Sequence, residues 1–252
     1  MKSPIKAKPL NNPAESLERR LYDIALDRIL VPIPVVIFSI AIAIYEWFRW
    51  FLDVPPKPIT FSIIALGITL YFVIKARSVW PEIKAIKQGI AGEKAVGQFL
   101  ERLRANGAFI FHDIPGDKFN LDHVVIHTSG IYVVETKTMS KPLSGKTELQ
   151  FDGQSVLRNG KPLPMNPIPQ VNAGSAWLSE LLKESTGSKF LVRGVVTFPG
   201  WFIHSNANTS NANTWVLNPK AIPSFIKSQQ VTLTIDQVNL AKFHLDRYIR
   251  AR

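Results

Sequence analysis

Two uncharged runs, residues 29–45 and 58–74, constrain this chain more than any other feature. Each is seventeen residues of mostly apolar character, near the lower limit of about 17–25 residues for a helix that crosses a bilayer. Trp47, Phe48, Trp50 and Phe51 extend the first run in the manner of an interfacial aromatic belt. Glu46 and Arg49 stand three apart within it, at helical pairing distance. Asp53-Val-Pro-Pro-Lys-Pro58 reads as a short, proline-broken turn. The soluble alternative buries both runs as a helical hairpin inside a core. The rest of the chain offers too little apolar surface to cover two such helices on every side.

The flanks set an orientation. Lys2, Lys6, Lys8, Arg19, Arg20 and Arg28 precede the first run, and Lys75, Arg77, Lys84 and Lys87 follow the second. Basic flanks stay on the cytoplasmic side, and both can do so only if the chain crosses an even number of times. A cleaved signal peptide fits poorly, because the run starts late and lacks a small-x-small cleavage site. The expectation is a two-helix transmembrane hairpin at residues 29–75 in the cell (inner) membrane. The N-terminal segment 1–28 and the soluble domain would both lie in the cytoplasm.

Composition narrows the chemistry. With no cysteine there is no disulfide framework, no thiolate zinc site and no thiol nucleophile. The five histidines show no H-E-x-x-H or finger-type spacing, which argues against a zinc enzyme. Net charge is +11; ten basic against six acidic residues up to residue 80 leave +4, and twenty against thirteen beyond it leave +7. A basic soluble part suits a polyanion such as nucleic acid, or an anionic membrane surface.

Beyond the hairpin, residues 76–89 read as a linker helix. Residues 91–104 carry helical apolar spacing at Val96, Phe99, Leu100 and Leu103, closed by Asn106-Gly107. Strand-like runs follow at 109–114, 121–127 and 131–137, then irregular β and turn material to Asn159-Gly160. A helix opens near Pro164-Met-Asn-Pro-Ile-Pro-Gln170, with Pro169 suited to a first helical position. Val171, Trp177, Leu178, Leu181 and Leu182 form its stripe. Residues 191–198 read as a central strand, the Asn-rich stretch from Ser205 to Thr214 as a mobile loop, and 215–217 as a late strand. A closing helix over 235–249 is capped by Thr234, with Leu240, Phe243, Leu245 and Tyr248 as packing residues. The sum is a mixed α/β sandwich around one sheet.

Three charges stand inside the apolar strands: Asp122, Glu135 and Lys137. A charge in a buried strand is costly unless paired or bound to metal. Alternation puts Glu135 and Lys137 on one face. A two-residue Ser129-Gly130 turn would pair Asp122 with Lys137 and Val124 with Glu135, on that same face; a three-residue turn would flip Asp122 to the other. Two carboxylates and a strand carbonyl such as that of Thr136 make a hard oxygen site suited to Mg²⁺ or Mn²⁺. A metal there polarises a scissile phosphate, and Lys137 steadies water or phosphate charge. The plain alternative is a buried ionic cluster. For Glu93 it is a first-turn acid stabilised by the helix dipole; for His123 and His127, packed strand histidines.

Gly92-Glu93, Leu121-Asp122, Glu135-Thr-Lys137 and Asn166-Pro-Ile-Pro-Gln170 resemble, in order and spacing, the motifs of the NERD (nuclease-related) domain, which is similar to the PD-(D/E)xK nuclease superfamily. The resemblance covers residues 90–201, with 202–252 as a C-terminal extension packing on the domain. It implies a restriction-endonuclease-like mixed sheet flanked by helices, with Asp122 and Glu135 as metal-binding acids. Lys137 would be the catalytic lysine, with Glu93 and Gln170 as accessory catalytic positions. Leu121 stands where the superfamily has proline. The implied function is a membrane-anchored, Mg²⁺- or Mn²⁺-dependent nuclease with DNA as the favoured substrate. The competing reading is a catalytically silent nucleic-acid-binding or protein-interaction module on the same anchor.

Overall fold

The computed structural model describes residues 10–52, 55, 57–142, 146–205 and 213–252. Residues 206–212 of the Asn-rich stretch, half of the proline-broken turn, and Lys2, Lys6 and Lys8 lie outside the described residues. The chain divides into two compact units: Ser16–Lys87, and the described residues up to Glu15 together with Gln88–Arg252.

In the first unit, helix α1 (Glu15–Ala25) passes through a π-helical turn (Leu26–Leu30) into α2 (Ile33–Phe51). Helix α3 runs from Pro58 to Glu101 without a break. The linker helix and the first soluble helix are therefore one element. Pro81 is tolerated inside it, and the chain stays helical through Gly89. Both helical stretches are long and apolar enough to cross a membrane, and large apolar side chains such as Phe38, Leu66 and Tyr71 stay more than 60% exposed. Glu46, by contrast, is buried: its carboxylate pairs with Arg49 at 3.0 Å and accepts the Lys57 backbone N–H at 3.0 Å. Trp47 Nε1 donates to Ser62 Oγ at 2.9 Å, joining the two helices at that end. Arg20 and Arg28 both pair with Glu82.

The second unit is mixed α/β. Strands β1 (Phe109–Pro115), β2 (Asn120–His127), β3 (Gly130–Thr136), β7 (Val192–Thr197) and β9 (Thr214–Leu217) form a five-stranded sheet in that order. The first three are antiparallel, and β3, β7 and β9 are parallel. A second sheet, which the single-sheet expectation lacked, is built from β4 (Glu148–Phe151), β5 (Val156–Arg158), β6 (Lys161–Pro162) and β8 (Phe202–Ser205). Helices α4 (Ile168–Thr186), α5 (Ile222–Ser228) and α6 (Ile235–Ala251) complete the unit.

Alternation explains the layers. Val124, Ile126, Ile131, Val133 and Val196 face a core shared with α4 and α6. Val125, Tyr132, Val134 and Val195 face a second core with Val96 and Leu100 of α3, Leu103 just beyond it, and Ile222 and Ile226 of α5. Strands buried on both faces have to be apolar throughout, which is why these runs read as nearly continuous. Thr234 and Gln237 form a capping box at the start of α6. Its buried stripe is Val238, Ala241, Leu245 and Ile249, at i, i+3, i+7 and i+11. Leu240 and Phe243 point outward instead: position, not bulk, selects the inner face.

Candidate active site

The β2–β3 hairpin sets the register. His127 pairs with Gly130 and His123 with Val134, so the turn residues are Thr128 and Ser129, one step earlier than expected. Asp122 therefore stands opposite Glu135, where pairing with Lys137 was expected. The reason is local. Ser129 does not sit at an open tip: its hydroxyl meets His127 Nδ1 at 2.8 Å, Tyr132 OH at 3.0 Å and the Ile226 carbonyl at 3.0 Å. Gly130 takes φ 142° as the first residue of β3, a backbone that glycine alone adopts freely. A shift of two residues preserves the face, so Asp122, Glu135 and Lys137 still share one side. They meet at the carboxyl end of β3, in the middle of the sheet rather than at a lateral edge.

Helix α4 supplies Gln170. Pro167 is its N-cap and Pro169 its second residue, one place later than expected. The Asn166 side chain accepts the Ile168 N–H at 3.2 Å and donates to the Gln154 carbonyl at 3.1 Å, which fixes how the helix starts. Gln170 then closes a triangle. Lys137 Nζ donates to Gln170 Oε1 at 2.7 Å and pairs with Glu135 Oε1 at 2.7 Å, while Gln170 Nε2 donates to Glu135 Oε1 at 2.8 Å. Beside it, Asp122 Oδ2 accepts the Thr136 backbone N–H at 2.7 Å.

Glu93 arrives from α3, in the opposite layer, and Gly92 explains how. A glycine inside a helix costs about 0.5–1 kcal/mol relative to alanine. At Gly92 a Cβ would collide with Thr138 Cγ2 just beyond β3, so only glycine lets the helix come this close. Glu93 is 8% exposed, and burial together with the neighbouring Asp113 and Glu135 carboxylates pushes its carboxyl up to about 7. Burial and the Glu135 and Glu93 charges hold Asp122 well above the usual carboxylate range. Burial also raises Glu135, against the pull of Lys137. These acids are crowded, and each charge disfavours the ionised form of its neighbours.

Asp113 is a member that the sequence reading passed over. It is buried, takes φ 48°, and its carboxylate accepts from Asn120 Nδ2 at 2.9 Å. The signal was present, since Asp113 is a charge in the apolar run Phe-Ile-Phe-His-Asp-Ile, the same kind of oddity as Asp122. His123 and His127 are packed strand histidines. His123 is fully buried against His112, Nδ1 to Nδ1 2.8 Å, and burial lowers both. Among the described residues, no three His, Asp or Glu side chains stand ready-made to grip one metal ion.

The motif residues thus converge from β2, β3, α3 and α4, and residues 88–199 match the family described as nuclease-related domain, NERD. Over that span the chain is similar to nuclease-related domains. An uncharacterized protein of Bacillus anthracis is 32% identical over 88 residues, which cover 33% of this chain and 41% of that protein. The chain therefore spans less than half the length of that relative. The solved structure of Pyrococcus furiosus SfsA in complex with Ca²⁺ overlaps 51% of this chain and 54% of its own at 18% identity, with a TM-score of 0.24. That score is too low for its Ca²⁺ to bear on the nuclease-related domain.

Proposed function

We propose that the protein is a membrane-anchored, divalent-metal-dependent nuclease acting on nucleic acid, DNA in the first instance, at the cytoplasmic face. The observation that carries this reading is the junction of Asp122 with the Glu135–Lys137–Gln170 triangle at one strand end of a nuclease-related domain. The donor set fits Mg²⁺ or Mn²⁺: Asp122 and Glu135 are hard oxygen ligands whose mutual repulsion a dication would relieve. When bound, such an ion supplies Lewis-acid polarisation of the phosphate. Lys137, held by Gln170, offers its ammonium to the negative charge that builds on the phosphate oxygens. Glu93 holds a proton at its carboxylate up to about pH 7 and can exchange it with water near neutrality.

One observation favours the silent alternative. Glu135 already pairs with Lys137 and accepts from Gln170, the arrangement expected of a self-contained ionic cluster. Cleavage assays separate the two readings. The full chain in detergent should cut DNA with Mg²⁺ or Mn²⁺ and lose that activity on Lys137→Ala; binding without cutting, across several dications and substrates, supports the silent module.

Anchoring rests on the two apolar helical stretches. Residues 10–15 belong to the same compact unit as the described residues of Gln88–Arg252. A chain whose two flanks share one folded unit crosses a bilayer an even number of times, which agrees with the basic flanks.

A further inference from the structure

We infer that residues 10–15, which precede the apolar helices, form a positioning strap that completes the candidate site by holding Glu93 and Asp113 from outside the nuclease-related domain. Leu10 packs against the main core. Asn11 Nδ2 donates to the Asp113 carbonyl at 2.7 Å, tethering the strap to the kink that carries this acid. The Pro13 ring lies over Gly97 of α3, where a Cβ would come within 2.9 Å of Pro13 Cγ; a bulkier residue at 97 would lift the strap. Ala14 is fully buried, and its backbone N–H donates to the Glu93 carboxylate. Ala14 adopts φ 63°, a left-handed backbone that an alanine keeps only when its surroundings fix it. Glu15 Oε2 accepts the Asn12 N–H at 2.9 Å and locks the turn into α1. Asn11 and Ala14 thus reach, at the Asp113 backbone and the Glu93 carboxylate respectively, the two acids facing the site. Its segments are separated in sequence by the whole helical pair, so the site is complete only when both ends of the chain are present.

The catalytic consequence rests on the nuclease reading, whereas the hold on Glu93 does not, and the experiment keeps them apart. Asn11→Ala combined with Pro13→Gly, in the full chain, releases the strap. The melting temperature is measured for the release variant, for Glu93→Gln and for the two together, followed by DNA cleavage rates in Mg²⁺. Releasing the strap should lower kcat about tenfold with KM for DNA unchanged. The melting shifts of the release variant and Glu93→Gln should be non-additive, because they remove the same bond. If melting is coupled but the wild-type chain never cuts, the strap stands and the nuclease reading falls. Additive melting shifts, or coupled shifts with unchanged kcat in a chain that does cut, overturn the strap.

Discussion

Lys137→Ala and Asp122→Asn should disable the site in different ways. Asp122→Asn removes a charged ligand, so metal affinity should fall and raised Mg²⁺ should restore part of the rate. Lys137→Ala leaves both carboxylates in place, so metal should still bind while kcat drops, and extra metal should not help. Lys137→Ala also leaves the buried Glu135 uncompensated, a loss of about 3–5 kcal/mol for a buried pair, so its melting transition must be recorded beside its kinetics. Isothermal titration with Mn²⁺ distinguishes the two variants. Gly92→Ala tests the close approach of α3. A methyl there meets Thr138, displaces Glu93, and should cost activity more than tenfold with binding of DNA largely kept. Wild-type rates for Gly92→Ala would show that Glu93 needs no such positioning.

At the level of elements, the strands and the capped last helix were legible because their signals are local. Continuous apolar runs mark strands buried on both faces, and Thr234 with Gln237 marks a helix start. The hairpin register was not, because it depends on Ser129 reaching Tyr132 and the carbonyl of Ile226, almost a hundred residues away. The face of Asp122 survived that error only because the slip was two residues rather than one. The second sheet was obscured because β4 and β8 pair across fifty residues. On α6, bulk misled where position decided: Leu245→Ala should destabilise by about 2–5 kcal/mol, while Phe243→Ser should change stability by less than about 0.5 kcal/mol. Chemical denaturation of the two variants checks this directly, and equal losses would mean that the exposed face of α6 is covered.

For the whole molecule, the acid cluster links stability to pH and to metal. Glu93 releases its proton near 4.5 when unfolded and at about 7 when folded, and Asp122 and Glu135 shift upward in the same sense. Between those pH values these acids hold more protons in the folded state than in the unfolded chain. Their contribution to stability in chelator should therefore fall as pH rises from about 4.5 to 7, while buried His112 and His123, whose proton affinity is lowered, contribute in the opposite sense below about 6.5. Mg²⁺ at pH 8 should recover part of the loss by neutralising the ionised acids. Melting curves of the wild-type chain and Glu93→Gln at pH 5 and pH 8, with and without Mg²⁺, isolate the acids from the histidines; a wild-type chain that loses no more stability than Glu93→Gln between those pH values in chelator would contradict the crowding. The strap at residues 10–15 is not legible in the sequence because its relation to Glu93 exists only once segments separated by the whole helical pair are folded into one unit, whereas Asp113 carries a legible signal as a charge in an apolar run. The most direct measurement of the central claim is DNA cleavage by the purified full chain in Mg²⁺, run beside Lys137→Ala and an EDTA blank. The account predicts cutting by the wild-type chain alone, abolished by chelator and by the variant; a folded wild-type chain that binds DNA and leaves it intact in both Mg²⁺ and Mn²⁺ would contradict it.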